Sequence, residues 1–181
     1  MFLITKEKKT FFVKDTSRDL HTQFGFISSA DLKKAVSGVT LKTNKGHEMS
    51  VLNTFFSDYF QKIRRGPQII PKKDIGIIIT ETGIGKSTVV CDAGSGSGAM
   101  ACFLANIAKK VYTFDIREDH LEITKSNMKF LGVKNVVAKL HDVYTSIPLK
   151  NIDVLMLDLP EPWKVLPHTG CLKSGGFIAS Y

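Results

Sequence analysis

Two hydrophobic periodicities divide the chain. Short apolar segments come first: FLIT at 2–5 and TFFV at 10–13 flank a charged turn at Lys6–Lys9, and VTLKT at 39–43 and HEMSVL at 47–52 flank Asn44-Lys45-Gly46. Apolar runs joined by such turns predict hairpins, hence a small sheet or partial barrel. Phe55, Phe56, Tyr59, Phe60 and Ile63 then recur at helical spacing, with Asn53 as candidate N-cap and Arg64-Arg65 at the negative end. That spacing predicts a helix whose aromatic stripe packs into a core. Arg65-Gly66-Pro67-Gln68 breaks it and reads as a linker. Isoleucines 75, 77, 78 and 79 fit a helix over 74–81 stopped by Gly83, or a buried strand; the helix is the reading adopted.

From residue 88 the pattern becomes regular. TVVCDAG is a buried-strand run, Met100, Phe103, Leu104 and Ile107 form a helix face, KKVYTFDI is a second strand, and 117–131 a second helix stopped at Gly132. NVVAKLHD, IDVLMLD and GGFIASY come next as further strands. Alternating β and α elements with apolar strands imply a parallel sheet covered on both faces. The predicted organisation is a small β-rich N-terminal domain over 1–65 and an α/β domain over 66–181.

A 43% hydrophobic content over 181 residues supports a real core. No apolar run approaches the roughly 18–20 residues of a bilayer helix, and Met1–Lys9 lacks the features of a signal peptide, so a soluble, cytoplasmic protein is expected. Cys91, Cys102 and Cys171 are odd in number and not closely paired, which fits buried thiols in a reducing compartment. Histidines 21, 47, 120, 141 and 168 show no ligand spacing, and no metal is expected. The net charge of +8 is uneven: residues 1–75 hold 14 Lys+Arg against 7 Asp+Glu, whereas 76–181 hold 11 against 10. An excess of +7 in the first part suits a polyanionic partner, most simply nucleic acid.

The first strand of the α/β part ends in Asp92-Ala93-Gly94-Ser95-Gly96-Ser97-Gly98-Ala99 and runs into a helix. Alternate glycines let a ligand approach the backbone, and the helix start offers free N–H groups, so Gly94 and Gly96 mark a nucleotide-like site. The spacing is G-x-G-x-G, not the G-x-G-x-x-G of dinucleotide sites. Nearby TGIGKST fails as a phosphate loop because Thr80 stands where its first glycine belongs. Asp115, 21 residues after Gly94 and at the end of the next strand, can accept from both ribose hydroxyls, and Asp142, ending the third, from an adenine amino group.

With these motifs the chain resembles the class I S-adenosylmethionine-dependent methyltransferases. More narrowly, RGPQII followed by Asp74, DAGSGSGA, FDIREDH and LDLPEPWKVL resemble the tRNA (adenine-N1) methyltransferases that modify adenine 58 of the T-loop. The resemblance implies a Rossmann-like parallel sheet, S-adenosyl-L-methionine as cofactor, tRNA as partner and assembly into a homo-oligomer, tetramers being usual in the family. It implies that Ser97, Gly98, Ala99 and Met100 line the methionine end of the cofactor. It also places His120 on the pocket beside Asp115, although spacing alone fits an exposed helix histidine equally, and sets His141 and Asp142 beside the cofactor's adenine.

Asp158 closes the fourth strand beside the glycine loop, where open α/β sheets place ligands. Adenine N1 becomes cationic on methylation, and a carboxylate accepting from the N6 amino group would stabilise that charge and orient N1. Pro160 and Pro162 stiffen the turn after Asp158, and Trp163 is expected to pack that turn, the alternative being to lie under the target base. Arg64, Arg65, Lys72 and Lys73 are candidates for tRNA phosphates. Two features depart from the family: Pro71 stands where an aromatic residue is usual, and the chain stops at Tyr181 where the family continues, leaving the fifth strand as an exposed edge. That ending fits a fragment with a whole cofactor site and an incomplete active site. A methyltransferase acting on protein or a small molecule, and a tRNA-binding subunit without catalysis, are the other two readings.

Overall fold

The computed structural model describes residues 1–66 and 69–180, so Pro67 and Gln68 of the expected linker, and Tyr181 of the fifth strand, lie outside the described residues. The chain divides into two compact units, Met1–Tyr59 and Phe60–Tyr181, a division six residues earlier than the expected break after Arg65.

In the first unit, β1 (Phe2–Lys6) pairs antiparallel with β2 (Lys9–Val13) and β6 (Glu48–Asn53), and β6 with β5 (Thr40–Lys42), giving the order β2-β1-β6-β5. β6 buries Met49 and Val51 and exposes their neighbours, as a strand with one wet face does. Ile4, Val13, Ile27, Leu32, Met49 and Val51 form the core. The sequence reading missed the hairpin of β3 (Leu20–Thr22) and β4 (Gly25–Ile27), and also α1 (Ser29–Lys34). Helix α1 is announced by Ser28 and Asp31: the Ser28 side chain accepts from the Asp31 N–H at 3.1 Å and donates to the Asp31 carboxylate at 2.6 Å.

The long aromatic helix is corrected. Helix α2 runs only Phe56–Phe60, Asn53 ends β6 instead of capping, and Asp58 accepts from the Phe55 N–H at 2.8 Å. Phe55 is exposed, while Tyr59 meets Phe12 edge-on at 5.1 Å, so the stripe does not act as one face.

The second unit carries α3 (Lys72–Thr82, ended by left-handed Gly83), β7 (Val89–Ala93), α4 (Ala99–Leu104), β8 (Lys110–Asp115), α5 (Glu118–Leu131), β9 (Val136–Leu140), β10 (Ile152–Leu157), a 3-10 helix (Pro162–Cys171) and β11 (Leu172–Ser180). Its sheet is parallel, in the order β11-β10-β7-β8-β9, with β9 and β11 at the edges among the described residues. β10 is buried at five of six positions, as a central parallel strand must be. Phe60 is buried edge-on against Phe103 at 5.1 Å, and Ile63 is buried too. Helix α4 is shorter than its apolar face suggests; the Asn135 side-chain amide donates to the carbonyls of Ala105 and Ala108 at 2.9 and 3.0 Å and holds the chain that leaves it. Cys91, Cys102 and Cys171 are free and buried, and burial raises all three thiols, Cys102 to about 12. Among the described residues no helix is long and apolar enough to cross a membrane.

Candidate functional site

Strand register brings the candidate groups to one rim. Leu157 pairs with Ala93, Ala93 with Phe114, and Asp115 with Leu140, so the residues leaving these strands emerge side by side. The chain goes from β7 outward through β8 and β9, then returns to place β10 on the other side of β7. A crevice opens at such a reversal. A cavity of about 520 Å³ lies there, within the roughly 300–1,000 Å³ usual for small-molecule sites.

The glycine loop bends under two constraints. Gly94 has φ +97°, and a Cβ on it would collide with the Asp158 carbonyl oxygen; Gly98 has φ +72°, and a Cβ would fall 2.7 Å from the Thr124 methyl. Both positions need glycine. The N–H groups of Gly94 and Ser95 donate to the Phe114 carbonyl at 2.9 and 3.0 Å, and that of Asp158 to the Ala93 carbonyl at 3.0 Å, which ties the loop to both neighbouring strands.

Asp115 is almost buried and held by three donors: Gly96 N–H at 2.9 Å, Arg117 N–H at 2.9 Å and His120 Nδ1 at 3.1 Å. His120 is thus no free surface histidine; its side chain is 19% exposed and lines the cavity. Asp142 accepts from the Tyr144 N–H at 2.9 Å. The His141 ring lies edge-on to Phe114, with Nε2 2.8 Å from the Ser146 carbonyl. Gly94, Gly96, Ser97, Asp115, His120, His141, Asp142 and Asp158 all line the cavity.

Other expected residues lie elsewhere. Gly98, Ala99 and Met100 are not on the cavity wall: Gly98 precedes α4, and Ala99 and Met100 are its buried first residues. Trp163 is 60% exposed in the 3-10 helix, which overturns the expectation that it packs the turn. Arg64, Arg65, Lys72 and Lys73 are exposed, with Lys72 Nζ 5.9 Å from the Phe60 ring centre.

Three features escaped the sequence reading. Asn127 is buried on α5; its amide donates to the carbonyls of Arg64 and Ser97 and accepts from the Arg64 N–H, each at 2.8 Å. A polar residue in register with buried Leu121 and Thr124 was the available signal. Beneath the loop, the buried Asp92 accepts from Thr113 at 2.6 Å, and Thr113 lies 2.7 Å from Ser95 Oγ. Burial pushes the Asp92 carboxyl up to about 7, the Thr113 hydroxyl opposing and the charges of Asp158 and Asp115 adding. Tyr144 and Gly66 also line the cavity. Among the described residues, no cluster of three or more His, Cys, Asp or Glu could hold a metal ion.

The family model described as "tRNA methyltransferase complex GCD14 subunit" matches residues 59–181. The tRNA (adenine(57)-N(1)/adenine(58)-N(1))-methyltransferase TrmI of Methanocaldococcus jannaschii is 30% identical over 99% of this chain and 73% of its own length. The tRNA (adenine(58)-N(1))-methyltransferase TrmI of Thermus thermophilus is 30% identical over 89% of this chain, which spans 66% of that relative. A crystal structure of a SAM-dependent O-methyltransferase from Thermotoga maritima superposes with a TM-score of 0.88 at 28% identity, covering 99% of this chain and 70% of that one.

Proposed function

This chain belongs to the tRNA methyltransferase family whose GCD14-subunit model spans residues 59–181, and from that membership we propose that it methylates N1 of adenine 58 in the tRNA T-loop. The observation that carries the reading is the single rim on which Asp115, Asp142 and Asp158 line one cavity beside a glycine loop.

The cavity suits S-adenosyl-L-methionine. Asp115, fixed by three donors, keeps oxygen lone pairs that would accept from ribose hydroxyls; Asp142 and His141 would flank the adenine, and Gly94, Gly96 and Ser97 would face the methionine end. When bound, that cofactor supplies a methyl group on a sulfonium. Asp158, exposed at the mouth, accepts from the N6 amino group of the incoming adenine and stabilises the positive charge that N1 acquires. Reaching it requires the adenine to leave its stack. Exposed Arg64, Arg65, Lys72 and Lys73 hold phosphates, and exposed Trp163 offers a face to a nucleobase near the Asp158 turn.

The resemblance to an O-methyltransferase sets a clear contrast. Incubation of the chain with unmodified tRNA and S-adenosyl-L-methionine, then nucleoside mass spectrometry, is expected to yield 1-methyladenosine. Ribose methylation, or methylation of another base, would overturn the assignment.

A further inference from the structure

The two loops that face each other across the cavity leave the sheet from strands that do not touch. Residues 141–145 come after β9 and residues 158–161 after β10, and β7 and β8 lie between those strands. No ladder hydrogen bond fixes one loop against the other.

Tyr144 spans that separation. Its N–H donates to Asp142 Oδ1 at 2.9 Å, its phenol oxygen accepts from the Glu161 N–H at 3.3 Å, and its carbonyl accepts from His168 Nε2 at 2.9 Å. The ring is half-buried against the core that holds Phe114, Val143 and Val165. One side chain thus links the loop carrying Asp142 to the turn that begins at Asp158, while its backbone anchors the 3-10 helix. On its far side Glu161 is tied to the start of the 3-10 helix: Lys164 pairs with Glu161 at 2.6 Å, and the Lys164 N–H donates to the Glu161 carbonyl at 3.1 Å. Through Glu161, Tyr144 is therefore connected both to the Asp158 turn and to the start of the 3-10 helix.

We propose that Tyr144 is a positioning residue which couples filling of the cavity by the cofactor to the placement of Asp158. The inference rests on the function proposed above for its catalytic part only. A misplacement of about 1 Å at a reacting centre costs up to roughly 100-fold in rate, so loosening one hydrogen bond at the turn is enough to register.

The test is Tyr144→Phe, which keeps the packed ring and removes only the hydroxyl. Calorimetry with S-adenosylhomocysteine is expected to give a dissociation constant within about twofold of wild type, and the KM for tRNA to hold equally, while kcat falls about tenfold. Trp163, the sole tryptophan and two residues past Glu161, supplies a second readout. Its emission is expected to change when S-adenosylhomocysteine binds wild type and to stay unchanged when it binds the variant. Wild-type kcat together with a wild-type emission response would overturn the coupling, as would cofactor affinity falling in step with kcat. If wild type formed no 1-methyladenosine, the proposed function would fail, and the emission comparison would still decide the coupling.

Discussion

A methyl group at position 94 would collide with the carbonyl oxygen of Asp158, and the backbone there has φ +97°. The glycine loop and the acid turn are therefore built to one another's shape, and Gly94→Ala must displace one of them. That variant is expected to lose about 1–3 kcal/mol in urea unfolding and to bind S-adenosylhomocysteine more weakly. Asp92, below the loop, gives a pH signature. Its folded pKa of about 7 exceeds the ordinary carboxylate value, so the folded chain keeps a proton that the unfolded chain has lost. Stability from this group is whole below about pH 4, falls as pH rises towards 7 and levels off above. Asp92→Asn cannot titrate but can still accept from Thr113, so its stability relative to wild type is expected to rise between pH 5 and pH 8. Urea titrations at the two values check this; a pH-independent difference would mean that Asp92 is ionised throughout. The acids at 115, 142 and 158 were legible because strand ends are visible as ends of apolar runs. The raised pKa of Asp92 was not, since its cause is burial by neighbours distant in sequence.

Among the elements, helix α5 does more than cover the sheet. Through Asn127 it grips the backbone of Arg64 and the carbonyl of Ser97, ordering the segment before Gly66 against the glycine loop. Asn127→Ala leaves the carbonyl of Ser97 without its partner in a buried place and the N–H and carbonyl of Arg64 without theirs in a partly buried one, and is expected to cost about 1–3 kcal/mol by chemical denaturation. The five parallel strands were readable from their continuous apolar runs, and α5 from its left-handed Gly132 stop. The β3-β4 hairpin was not: two strands of three residues carry too few positions to show a period. The aromatic run at 55–63 misled because helical spacing says nothing of where a helix ends. Tyr59 packs on Phe12 and Phe60 on Phe103, so adjacent positions serve different cores.

For the whole molecule, the charge asymmetry seen in the sequence becomes more local once the units are known. Met1–Tyr59 holds 9 Lys+Arg against 6 Asp+Glu, while residues 60–75 alone hold 5 against 1. The basic stretch thus belongs to the unit that carries the cavity. Affinity for tRNA is expected to fall steeply between 50 and 200 mM salt, and Arg64→Gln with Arg65→Gln to flatten the log–log slope by about one for each phosphate that is no longer neutralised. An unchanged slope would place the phosphates elsewhere. The fold class and the rim of acids could be read from strand and glycine patterns. The exposure of Trp163 and the bridge made by Tyr144 could not, because both depend on how loops from separate strands meet. The division of labour along that rim is tested most directly by Asp158→Ala: the rate of 1-methyladenosine formation at saturating cofactor, set beside the calorimetric affinity for S-adenosylhomocysteine. A drop of about 100-fold or more in rate, with cofactor affinity held within about twofold, is the expected result; an unchanged rate, or a matching loss of cofactor binding, would contradict it.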